Sequence, residues 1–219
     1  RDRFYLGSIQ TAESAEENLA QVIPVTAQVV SRSGARTVGF EIDENHFANL
    51  MKADIKDAVY TASACANFQE QYRAEDVQGA DTSVTAVSGL SALVGVTEEN
   101  ITFENGYDLS FLESVEPLCV VSQSYAAQYG LNVDDMLSMP FYVTRYNDDG
   151  FSLRYEHLGM QDVKIIGVYA DSASGSSVPC SMIVSVPWLQ TVVKENNLRF
   201  YYSSFRCALR DPMKLNDFK

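Results

Sequence analysis

The stretch Pro117-Leu118-Cys119-Val120-Val121-Ser122-Gln123-Ser124-Tyr125-Ala126-Ala127-Gln128-Tyr129-Gly130-Leu131-Asn132-Val133-Asp134-Asp135-Met136-Leu137 is the most ordered pattern in the chain. Leu118 to Val121 is an apolar run, short enough for a buried strand. Ser122 is placed to cap a helix, along which Tyr125, Ala126 and Tyr129 follow, and Gly130 suits the left-handed residue that ends it. A new strand is expected after Asp134-Asp135. A strand, a cap, a helix and a glycine in this order predict an α/β fold.

Working outward, the same grammar recurs. Val163 to Tyr169 is a strand, and Asp171 to Val178, rich in Ser and Gly, is a loop. Ser181 to Val186 is a strand, Pro187 starts a helix through Trp188-Leu189 and Val192-Val193, and Asn196-Asn197 ends it. Tyr201 to Leu209 is a final strand, after which Asp211-Pro212 opens a helix. Phe141 to Tyr146 is expected as a strand with Asn147-Asp148-Asp149-Gly150 as a hairpin turn.

Toward the N-terminus, Ile9, Ala12, Ala15, Leu19 and Val22 lie on one face of a helix that ends before Pro24. Val25 to Ser31 is a strand turned by Ser33-Gly34. Asp43 caps a helix with Phe47, Leu50, Met51 and Ile55 on one face, and Val59 to Gln69 alternates as a strand. Strand, helix, strand makes a βαβ-like unit. Val84 to Val96 reads as another alternating run, interrupted by Gly89 and Gly95.

The 219 residues, 46% hydrophobic and 21% charged, suffice to bury a core. The net charge of −13 repels phosphate backbones, so nucleic acid is not an expected partner. No run reaches the ~18 to 20 apolar residues of a membrane helix. The start at Arg1 inside a helical pattern and the stop after Asp217-Phe218-Lys219 are read as the ends of a piece of a larger protein.

The sequence points to no catalytic, cofactor-binding or metal-ligating residue, and to no cofactor. His46 and His157 lie in no recognisable motif. Gly89-Leu90-Ser91-Ala92-Leu93 lacks the second glycine of a nucleophile elbow, so Ser91 is read as a strand residue. Asn147 to Gly150 and Asp134-Asp135 are read as turn chemistry rather than calcium or glycosidase carboxylates. Cys65, Cys119, Cys180 and Cys207 show no zinc spacing and are read as free thiols, Cys180 on one face with Met182, Val184 and Val186, and Cys207 with Phe205 and Leu209.

Val120, Val121, Ser122, Ala126, Gly130, Leu131, Val133, Asp135 and Leu137 together resemble the signature of the extracytoplasmic, MacB-like periplasmic core domains of FtsX-like and MacB-like ABC transporter permeases. Asp134 stands where that signature has glycine. Val163 to Tyr169 and Ile183 to Leu189 are similar to later strands of those domains. The resemblance implies an α/β (α+β) fold: a porter-like βαβ subdomain from residues 24–96 and 181–219, a small α/β subdomain inserted at 97–180, and residues 1–23 continuing a membrane span. It implies a non-catalytic extracytoplasmic domain in the cell membrane that transmits ATP-driven motion. The implied partners are an ABC ATPase subunit acting through the membrane part, and outside it a second permease copy, an accessory extracellular protein or a peptide substrate. An alternative reading of the acidic chain is a ligand-binding module for cationic peptides or antibiotics.

Overall fold

The computed structural model describes residues 27–30, 36–40, 42–68, 80–146, 153–171 and 180–211. In chain order these hold β1 (Ala27–Val30), β2 (Arg36–Phe40), β3 (Ile42–Asp43), α1 (Glu44–Met51), β4 (Ile55–Ala66), β5 (Thr82–Val87) and β6 (Ile101–Phe103). Then follow β7 (Leu118–Ser122), α2 (Gln123–Tyr129), β8 (Met136–Tyr146), β9 (Leu153–Tyr169), β10 (Met182–Ser185), α3 (Val186–Glu195), β11 (Tyr201–Tyr202) and β12 (Ser204–Leu209). The mixed α/β class expected from the sequence is the one observed.

One sheet of eight strands runs in the order β12-β4-β5-β10-β7-β9-β6, with β8 bonded to both β9 and β4. Most neighbours are antiparallel; β5 with β10 and β7 with β9 are parallel. The parallel partner β9 is reached from β7 through α2 and the antiparallel strand β8. Because β8 also touches β4, the strands β4, β5, β10, β7, β9 and β8 close a ring. Strands from 24–96 and 181–219 therefore pair with strands from 97–180 in one sheet, for example Met182 opposite Val121. The strand–helix–strand plan of residues 25–69 appears as β1 with β2, α1 and β4, with β1 and β2 bonded to each other.

The sheet buries both faces. Cys119, Val121, Met182, Val184 and Ile165 point into the larger core with residues of α2 and α3, against which residues of α1 pack. Their neighbours Val120, Ile183, Ile166 and Val87 point the other way, into a second core with Val96, Phe111 and Leu112. All five residues of β7 are buried, which is why the strand reads as a continuous apolar run and not as an alternation. Trp188 of α3 is buried in the larger core, with its ring edge-on to Phe141 at 5.6 Å. Burying such side chains supplies about 1.5–3 kcal/mol each before the entropy of ordering them is subtracted.

Several boundaries differ from the sequence reading. Ile55 opens β4 instead of closing the helical face, because α1 stops at Met51. The alternating run 84–96 ends as a strand at Val87, and Ser91 lies in a 3-10 turn, Leu90–Ala92. The strand expected after Asp134-Asp135 begins at Met136 and runs on without a break through Phe141 to Tyr146 as β8, and β9 starts at Leu153, before Val163. Cys180 packs in the second core while Met182, Val184 and Val186 lie in the larger one. Strand parity cannot be extended back to Cys180, since β10 begins only at Met182. The helix at 9–22, the turn at 147–150, most of the 171–178 loop and the helix after Pro212 lie outside the described residues.

Candidate functional site

The capping signals of the sequence are realised atom for atom. Ser122 Oγ accepts from the Tyr125 amide at 3.2 Å, and Gly130 ends α2 with φ 66°. Ser185 Oγ accepts from the Trp188 amide at 3.1 Å, and Asp43 Oδ1 accepts from the His46 amide at 2.7 Å. Asp134 takes φ 77°, the left-handed geometry that glycine would adopt without strain, and its carboxylate holds Lys164 Nζ at 2.5 Å. Lys164 also pairs with Glu104 at 3.3 Å and lies over the Tyr107 ring at 5.2 Å, so its pKa is raised, chiefly by the Asp134 carboxylate. The unusual letter in the signature therefore brings its own counter-ion.

Polar side chains gather at the end of the sheet where β5 and β10 begin and β7 ends. A recess of about 120 Å³ is lined by Asp81, Ser83, Ser122, Ser124, Tyr125, Gln128, Cys180 and Ser181. Ser83 and Ser181 join the parallel strands β5 and β10 at their start, with the Ser181 amide donating to Ser83 Oγ at 2.8 Å. Asp171 Oδ2 accepts from the Ser124 amide at 2.8 Å. A chain of hydrogen bonds runs inward from half-buried Asp81 through buried Thr82 to buried Tyr125, both ends of it at the wall of the recess. The Phe68 amide and Thr82 Oγ1 both donate to Asp81 Oδ1, at 2.7 and 2.8 Å. Thr82 Oγ1 lies 2.6 Å from the Tyr125 hydroxyl. Since a carboxylate only accepts, the Thr82 hydroxyl donates to Asp81 and takes the Tyr125 proton as acceptor. Burial raises the Tyr125 pKa well above the ordinary phenol value and keeps it protonated as that donor.

The residues weighed in the sequence do not converge on this recess, Ser122, Tyr125 and Cys180 excepted. His46 is exposed beside Asp43, and His157 lies next to Tyr142, with ring centroids 6.2 Å apart. The Ser91 carbonyl accepts from Arg206 Nη1 at 3.1 Å. Among the described residues all four cysteines are free thiols; burial raises the pKa of each, which makes them poor nucleophiles at neutral pH. Cys207 shares its core with Phe205 and Leu209 as expected. Asp81 and Thr82 were missed: short polar side chains at a strand start carry no spacing signal.

Similar folds occur among solved structures of transporter and permease domains. The extracellular domain of the ABC-type transporter YknZ from Gram-positive bacteria matches with a TM-score of 0.45 at 15% identity over 81% of this chain and 78% of that one. A domain of a putative permease from Porphyromonas gingivalis matches at 0.42 and 16% identity over 84% and 70%. The periplasmic region of MacB from Actinobacillus actinomycetemcomitans matches at 0.46 and 9% identity over 87% and 75%. At these identities the likeness is one of fold. No protein-family profile matches the sequence, and no curated protein matches it.

Proposed function

We propose that this chain is the extracytoplasmic domain of an ABC transporter permease in the cell membrane, which passes ATP-driven motion outward and engages a substrate or partner there. The observation that supports it is the β7–α2–β8 unit. Its letters from Val120 to Leu137 follow the permease signature, and the one departure, Asp134, adopts the left-handed geometry that the signature's glycine serves. Residues 1–23 continue a membrane helix in this reading. Residues 24–96 with 181–219, and residues 97–180, are the two lobes of the domain and share its sheet. ATP is hydrolysed by a separate cytoplasmic subunit, and a second permease copy, an accessory protein or a peptide meets the domain outside.

The test uses the full-length gene product in intact cells. Val94 is 86% exposed; a cysteine placed there reacts with a membrane-impermeant maleimide before lysis if the domain faces outward. Labelling only after lysis, or the lack of an apolar span directly upstream of Arg1, overturns the proposal.

A further inference from the structure

The sequence holds eleven asparagines, and Asn105 is the one followed by glycine, in Phe103-Glu104-Asn105-Gly106-Tyr107-Asp108. This pair forms the tip of the turn that leaves β6. The Tyr107 amide donates to the Glu104 carbonyl at 3.1 Å, and Gly106, at the third position, has φ 94°, the sign that a type II turn requires there. Asn105 and Gly106 are both exposed, and no atom lies within 4 Å of the point where a Cβ on Gly106 would stand. Glu104, at one end of the turn, ties down the end of β6: its amide donates to the Ile166 carbonyl at 2.8 Å and its carboxylate pairs with Lys164 at 3.3 Å. Tyr107, at the other end, has the Lys164 ammonium over its ring at 5.2 Å.

We propose that Asn105 is a site of spontaneous deamidation and isomerisation, and that the reaction loosens the end of β6. The Gly106 amide nitrogen loses its proton to water and attacks Asn105 Cγ, and the side-chain nitrogen takes up a proton and leaves as ammonia, which closes a five-membered imide. Water then opens the ring. Attack at Cγ yields aspartate; attack at the backbone carbonyl yields isoaspartate, in which the chain runs through the former side chain. No oxidant or cofactor enters. Glycine matters twice: without a Cβ it leaves its nitrogen open, and it tolerates φ of either sign, so the peptide plane between Asn105 and Gly106 can rotate to bring the nitrogen against Cγ while Tyr107 stays bonded to Glu104. Exposed Asn132 and Asn197 precede Val133 and Leu198, whose side chains crowd that approach. Isoaspartate adds a methylene to the backbone of a four-residue turn. Either product adds a carboxylate next to Glu104, which already shares Lys164 with Asp134. The site belongs to the chain itself and does not depend on the membrane assignment.

Ageing the folded 219-residue chain at mildly alkaline pH tests it, read by peptide mapping in a mass spectrometer and by an isoaspartyl methyltransferase assay. Asn105 is expected to convert within about tenfold of the rate in a free peptide of residues 103–108, since a surface turn opens at the low end of the range of local unfolding. Isoaspartate is expected among the products, with Asn132 and Asn197 intact. Slower conversion than that, or equal conversion at Asn132 and Asn197, overturns the proposal. Hydrogen exchange reads the structural consequence. In the aged chain the Glu104 amide is expected to exchange about fivefold to tenfold faster than in Asn105→Gln, whose longer side chain resists cyclisation, as for the loss of one net hydrogen bond. An unchanged Glu104 rate refutes the loosening of β6. Equal acceleration in freshly prepared Asn105→Asp, which carries the charge without the methylene, refutes the lengthened turn as its cause.

Discussion

The chain Tyr125–Thr82–Asp81 predicts an asymmetry between two substitutions that remove one hydroxyl each. Thr82 is fully buried and Tyr125 is 4% exposed, so neither hydroxyl can turn to water. Thr82→Val keeps the shape but leaves the phenol without its acceptor and takes a donor from Asp81. The unsatisfied group alone costs about 1–3 kcal/mol. Tyr125→Phe removes the phenol, while Thr82 keeps its 2.8 Å bond to Asp81. Its cost is the net value of one hydrogen bond, about 0.5–1.5 kcal/mol. In the double variant there is no phenol left to orphan, so it falls short of the sum by about 1 kcal/mol. Urea unfolding followed by circular dichroism at 25 °C measures all four corners of the cycle. Additivity within about 0.3–0.5 kcal/mol, or a larger loss for Tyr125→Phe than for Thr82→Val, refutes the direction assigned to the chain.

Further tests address the backbone and pH. Gly130→Ala meets no atom within 4 Å of the added Cβ but must hold φ 66°, so it is expected to lose about 1 kcal/mol in thermal unfolding. Gly167→Ala is different: its Cβ falls 3.1 Å from the Thr102 carbonyl oxygen and 3.2 Å from the Phe103 ring. β6 must be displaced, at about 1–3 kcal/mol, and the Glu104 amide, bonded to Ile166 O at 2.8 Å, should lose protection first. The Asp43 carboxyl lies below its ordinary 3.8, mainly because it accepts from the His46 amide. A lowered carboxyl contributes stability that is present above 3.8 and is lost as pH falls through the lower folded value. Protection of the His46 amide should therefore drop on acidification before the β7 and β10 amides respond; a parallel decline of all three counts against the cap.

Much of the fold was legible wherever donor and acceptor lie within one helical turn. Ser122 with Tyr125, Asp43 with His46 and Ser185 with Trp188 are each three residues apart; the first two were read as caps, whereas Ser185 was read only as part of a strand. The strand limits of β8 and β9 were not legible. Pro140 lies inside β8, a place proline seldom takes in a strand, and its carbonyl accepts from the Asn67 amide. Gly159 broke the alternation of β9, although the break is a bulge inside one strand of seventeen residues. A bulge shifts side-chain parity by one, so a strand that contains it looks like two shorter ones.

The recess and the Tyr142–Asn67 pair were illegible for a related reason. Tyr142 and Asn67 are 75 residues apart, and Thr82 and Tyr125 are 43 apart. Nothing in either neighbourhood marks these polar side chains as buried, because their burial is imposed by the ring of strands that brings them together. A Thr at a strand start is ordinary until a helix lays a tyrosine against it. The cost of an unsatisfied hydroxyl then makes each partner specific to the other, so this end of the sheet is held by pairings that no local pattern encodes.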